Sequence, residues 1–281
     1  MESNNPALRN APQFKRGGYA GFDDAPRGGA STAQYGQQYG QPSLEEMYSA
    51  PPAGPAHTGR LTYDDVVLRT GMTLGLVVLL GAFNYFFFSP LLMIVGVLGG
   101  LVLGLVNSFK REPSPALILA YAALQGLFIG GLSRVIDSQL VARNLGAVSI
   151  QAVIATVAVF AVMLVLYRSG AVRATPKFRR ILIGAVLGYA VFCLVNFVFS
   201  LFGAGLGLWS GGLGLAVGAI GAILASLSLV LDFDFIEQGV KNGIPQRYAW
   251  TAAFGLTVTL VWLYVELLRI LSIIRSMAGG D

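Results

Sequence analysis

The chain has 281 residues, of which 55% are apolar and only 12% charged, against roughly 25% charged in a typical soluble domain. Five of the 19 basic and five of the 14 acidic residues fall within the first 60 positions, so the remainder is poorer still in charge. These figures exclude a water-soluble globule. They predict a polytopic membrane protein, and the apolar stretches are of helix length, which gives an all-α bundle rather than a barrel.

The rarer residues remove whole classes of chemistry. Cys193 is the single cysteine and lies inside an apolar stretch, so neither a disulfide framework nor a thiolate metal site is expected. The single histidine, His57, precedes the apolar region, which removes Ser-His hydrolysis and histidine proton relays from the membrane. The chain is therefore expected to be no enzyme and to need no cofactor. Its excess of positive charge reads as loop charge that sets topology, not as a nucleic-acid footprint.

Residues 1–62 are rich in Gly, Pro, Gln and Tyr, as in Tyr35–Pro42 (YGQQYGQP), and contain no apolar run. Such a segment cannot bury enough surface to offset the entropy of ordering, and a disordered tail with a protein partner is expected. It lacks the basic start and apolar core of a signal peptide. A membrane domain over 63–276 and a short end over 277–281 complete the organisation.

Seven apolar stretches follow, at about 66–88, 91–106, 116–136, 148–167, 181–202, 213–235 and 248–274. Pro113 and Pro115 open the third, where a missing N–H is no loss. The second is short, and a re-entrant pair with the first is the alternative count. Arg168, Arg173, Lys177, Arg179 and Arg180 crowd the loop between the fourth and fifth stretches. Lys110, Arg111, Lys241 and Arg247 lie on the same side. The positive-inside rule then places the tail in the cytoplasm and the C-terminus outside, with a bacterial plasma membrane as the expected location.

Small residues recur every fourth position at Gly96, Gly100 and Gly104, at Gly126 and Gly130, at Gly184 and Gly188, and at Gly214 and Gly218. That spacing lines one helix face and lets backbones approach closely. Acidic residues near the end of the sixth stretch and within the seventh are the candidate functional groups, because a carboxylate in hydrocarbon persists where it meets a partner or water. They are Asp232, Asp234, Glu237 and Glu266. Asp232 and Asp234 point to nearly opposite helix faces, whereas Asp234, Glu237 and Lys241 share one. Antiparallel registration sets Asp234 level with about 256–259, and Glu266 nearer Arg269 or Arg134.

Three segments carry a resemblance to a known family. Leu124–Ser133 (LQGLFIGGLS), Ser228–Ile236 (SLVLDFDFI) and Ala253–Leu271 (AFGLTVTLVWLYVELLRIL) resemble motifs of the Bax inhibitor, or transmembrane Bax-inhibitor-motif, family. The resemblance implies seven helices with the last at the centre. It also implies a pH-sensitive calcium leak in which acids on the last two helices share protons and hold a pore closed. Carried over, Asp234 matches the first acid and either Thr259 or Glu266 the second. At Thr259 and Gln125 the chain departs from the pattern of acids.

The expected function is thus a gated cation leak, with Asp234 a weak, mostly water-completed calcium ligand and pH sensor. The alternative is a non-conducting regulator that binds a membrane protease or stress complex through the tail and the basic loop.

Overall fold

The computed structural model describes residues 59–201 and 211–279. Most of the expected disordered tail, residues 1–58, lies outside the described residues. Its last residues are tied down: Leu61 is 1% exposed and donates its N–H to the Ile244 carbonyl at 2.8 Å. The Gly59 carbonyl accepts from the Gln246 N–H at 2.8 Å.

Seven helices follow in order: α1 Tyr63–Phe86, α2 Pro90–Phe109, α3 Pro115–Ala142, α4 Ser149–Arg168, α5 Pro176–Leu201, α6 Gly211–Lys241 and α7 Ala249–Ala278. All seven are long and apolar enough to cross a membrane. The protein is an integral membrane helical bundle. The short second stretch becomes a helix of 20 residues, about 30 Å long, so α2 by itself is long enough to cross the hydrocarbon. Most helices run past the apolar stretch that foretold them, since polar residues at their ends continue the helical backbone.

Local chemistry sets the helix starts. Thr62 Oγ1 accepts the Asp65 N–H at 3.1 Å while the Asp65 carboxylate accepts the Thr62 N–H at 3.2 Å, a reciprocal capping box that opens α1. Pro90 and Pro115 occupy the first positions of α2 and α3. At α4 no local side chain caps the helix. Asp137, at the end of α3, does so instead: its Oδ1 accepts the N–H groups of Val148 at 2.8 Å and Ser149 at 3.2 Å. Its Oδ2 takes the Tyr85 hydroxyl of α1 at 3.0 Å. One 2%-exposed carboxylate thereby joins three helices.

The last helix is central. It packs against α1, α3, α4 and α6, and its buried residues run from Ala249 to Ile273 on several faces. By contrast α5 packs mainly on α6 and presents Ile181, Leu187, Val191 and Leu194 to the surroundings. The bundle is closed most tightly between α1 and α3. There a Cβ on Gly126 would come within 2.6 Å of the Val77 carbonyl, and one on Gly130 would overlap the Gly81 backbone. Gly96 and Gly100 make the α2–α3 approach, and a Cβ on Gly96 would lie 2.7 Å from the Leu124 carbonyl. Gly104 meets Tyr121, Gly218 meets Ile270, and Gly214 is buried.

At Gly184 and Gly188 the expected close approach is not made: a Cβ at either would meet nothing within 4 Å. Four-residue spacing fixes a common face but not whether a neighbour covers it.

Two outcomes follow for purified protein in detergent. Gly130→Ala should lose about 1–3 kcal/mol of unfolding free energy, because the backbone opposite cannot yield like a side chain, whereas Gly184→Ala should be neutral or stabilising. Equal loss at both would contradict this packing. Asp137→Ala should cost about 1–2 kcal/mol through the lost cap, measured in the same titration.

Candidate functional site

The carboxylates singled out from sequence are sent to four different places. Asp232 turns toward α7, where Thr259 Oγ1 donates to its Oδ2 at 2.7 Å. The neighbouring turn of α7 carries Gly255, and a Cβ there would stand 3.0 Å from Asp232 Oδ1. A glycine at 255 therefore lets the carboxylate lie close along the central helix. Among the described residues Asp232 forms no ion pair. It is a partly buried acid at a helix–helix seam with one hydroxyl for company.

Asp234, two residues on, faces away from that seam. Its Oδ2 accepts from Arg179 Nη2 of α5 at 3.0 Å and from Gln238 Nε2 at 2.7 Å. The Asp234 side chain is 13% exposed, and its arginine partner is 49% exposed. The carboxylate marked from sequence as the sensor and calcium ligand is thus already neutralised, and a cation there would have to displace Arg179. The residue that meets position 259 is Asp232. Nearly opposite directions for the two aspartates follow from the helical repeat, as the sequence indicated.

Glu237 takes the last turn of α6, paired with Lys241 and accepting from the Tyr167 hydroxyl of α4. Its bond to Lys241 is the i, i+4 surface pair expected from the sequence.

Glu266 is 5% exposed and fully served. Arg269, one turn on, forms its ion pair, the Tyr189 hydroxyl of α5 donates at 2.7 Å, and Trp262 Nε1 donates at 3.1 Å. Of the two arginines the sequence offered, Arg269 is the partner, while Arg134 sits over the Tyr85 ring at 5.8 Å. Gly221 makes room for this cluster, since a Cβ there would run into the Tyr189 hydroxyl and the Glu266 carboxylate. Glu266 stands two helical turns beyond Thr259, roughly 10 Å along α7, so it does not share a proton with Asp232 directly. Of the two positions open for the second acid, Thr259 meets Asp232 and not Asp234, the residue matched to the first acid.

Two further polar features join α7 to its neighbours. Thr257 Oγ1 donates to Thr73 Oγ1 of α1 at 2.9 Å, with both residues buried. Ser133 of α3 and Tyr264 share a hydrogen bond of 2.6 Å. Asp137 was not singled out from sequence. Its signal was indirect: α4 begins at Ser149 behind Val148, a residue with no side chain able to cap it, so a cap had to come from elsewhere.

Among the described residues no group of three or more His, Cys, Asp and Glu stands together to hold a metal ion. What the Asp232 site offers is one titratable oxygen pair beside a hydroxyl, between the two most closely associated of the late helices. One carboxylate and one hydroxyl supply far fewer oxygens than the six to eight that calcium takes.

A family model described as Bax inhibitor 1 like matches residues 5–276. None of the curated proteins matches the chain. Since the match takes in nearly all of the sequence and the seven-helix bundle carries the three motif segments in order, the chain belongs to the Bax inhibitor 1 like family.

Proposed function

We propose that this protein is a pH-sensitive cation leak, with calcium the ion that family membership favours and Asp232 the group that titrates. The observation that carries the reading is the placement of Asp232 on α6 against the central α7, bonded to Thr259 and, among the described residues, to no basic side chain. Protonated, the carboxyl is neutral and needs only the hydroxyl beside it. Ionised, it leaves a charge at a helix seam, which is tolerated where water or a cation comes to meet it. One proton thus decides whether the seam stays dry. Calcium takes six to eight oxygens, so carboxylate, Thr259 hydroxyl and several waters would bind it weakly, which suits passage.

Asp234 serves this scheme as a fixed partner. Its bond to Arg179 ties the end of α6 to the start of α5 while Asp232, two residues inward, titrates. The loop charges support an orientation with the α4–α5 connection and the tail in the cytoplasm of a bacterial cell. The tail supplies a separate surface for a protein partner.

Flux of calcium and of monovalent cations into liposomes, followed across pH, tests this reading. An asparagine at 232 imitates the protonated acid. Asp232→Asn should therefore conduct at every pH as the wild type does at its acidic limit, while Asp234→Asn keeps a pH dependence. Persistent pH dependence in Asp232→Asn would contradict the assignment of the sensor. Absence of flux from the wild type under all conditions would favour the non-conducting regulator.

A further inference from the structure

The hairpin between α4 and α5 carries five cations over residues 168–180 and no acid: Arg168, Arg173, Lys177, Arg179 and Arg180. All five are exposed. Arg179 is bonded to Asp234, and among the described residues none of the other four forms an ion pair. Like charges so crowded repel one another, and a loop that needed only to be soluble could mix in acids.

The hairpin's order does not come from those charges. Val172, Ala174 and Phe178 pack inward on the main core cluster, while the cations between and beyond them face out. At the end of α4, Gly170 adopts φ +75° and donates to the Tyr167 carbonyl at 3.0 Å, and Ala171 donates to Leu166 at 3.1 Å. The charged groups are thus borne on an anchored backbone. Immediately next to them the two helices turn apolar residues outward, with Val162 and Val165 on α4 and Ile181 and Ile183 on α5 all exposed. Apolar side chains of spanning helices that face outward meet lipid tails, so the cations bordering them stand at the level of the headgroups.

We infer that the exposed cations of the α4–α5 hairpin form a binding surface for the phosphate headgroups of anionic lipids. Guanidinium groups match phosphate oxygens two at a time, and three of the four cations without an acidic partner are arginines. The surface favours a lipid over a soluble acidic polypeptide because it continues directly into the apolar band. Each basic group at a membrane surface contributes about a fivefold preference for anionic lipid. Arg179 extends from this surface to Asp234, which gives bound lipid a physical link to α6. The binding claim stands whether or not the protein conducts ions.

The test uses the full chain reconstituted in phosphatidylcholine bilayers holding traces of spin-labelled phosphatidylglycerol or spin-labelled phosphatidylcholine. The fraction of each label that is motionally restricted by the protein is measured. Phosphatidylglycerol should be retained preferentially, and the preference should fall as salt shortens the screening length. Combining Arg173→Gln, Lys177→Gln and Arg180→Gln should reduce the preference by up to about a hundredfold. Arg173→Lys with Arg180→Lys should keep most of it, which separates charge from folding. Equal retention of the two labels would overturn the inference. So would a preference unchanged in the triple variant, an equal drop on Arg143→Gln with Arg275→Gln at the opposite ends of the helices, or capture of a soluble polyglutamate that phosphatidylglycerol does not displace.

Discussion

In a bilayer a charged side chain has no water to fall back on, and the acids of this molecule show how protein partners take its place. Glu266 is enclosed by Arg269, Tyr189 and Trp262, Asp137 by two backbone N–H groups and Tyr85, and Asp234 by Arg179 and Gln238. Each set joins at least two helices, so satisfying the charge also fixes the bundle. Asp232 is the exception, with a single hydroxyl partner. The least satisfied of these four carboxylates lies against the central helix, and the functional reading grows from that inequality.

The central position of α7 makes such an inequality consequential. This helix receives contacts from α1, α3, α4 and α6, and it carries Gly255, Thr257, Thr259, Tyr264 and Glu266 toward different neighbours. A change of charge at the Thr259 seam therefore acts on the element that most of the others rest on. Where helices close hard on one another, at Gly126 and Gly130 against α1, the contact is backbone on backbone and leaves little to adjust. The α5 side is different: it rests mainly on α6 and is hooked to α7 through the Tyr189 hydroxyl.

The number of helices, their rough limits and the central last helix were legible in the sequence, because hydrocarbon thickness imposes a length on every span and the motif order carried the rest. Local pairings were legible too: Glu237 with Lys241 and Glu266 with Arg269 follow from one helical turn. The glycine pattern was legible at Gly96, Gly126, Gly130 and Gly218 but not at Gly184 and Gly188, since spacing along one helix says nothing of what lies opposite. Partners from remote segments were hidden. Arg179 stands 55 residues from Asp234, and Asp137 caps a helix that begins 12 residues later in the chain. Which of the two candidate aspartates meets Thr259 turned on two positions of register between α6 and α7, finer than a count of residues per turn could fix.

The most direct test of the central claim is therefore one of register. With Cys193 replaced by alanine, cysteine pairs at 232 with 259 and at 234 with 259 can be treated in membranes with a short bifunctional thiol reagent. The 232–259 pair should link readily and the 234–259 pair poorly, because position 234 faces Arg179 on α5. Efficient linking of 234 with 259 and none of 232 with 259 would place the other aspartate at the central helix and contradict this account of the site.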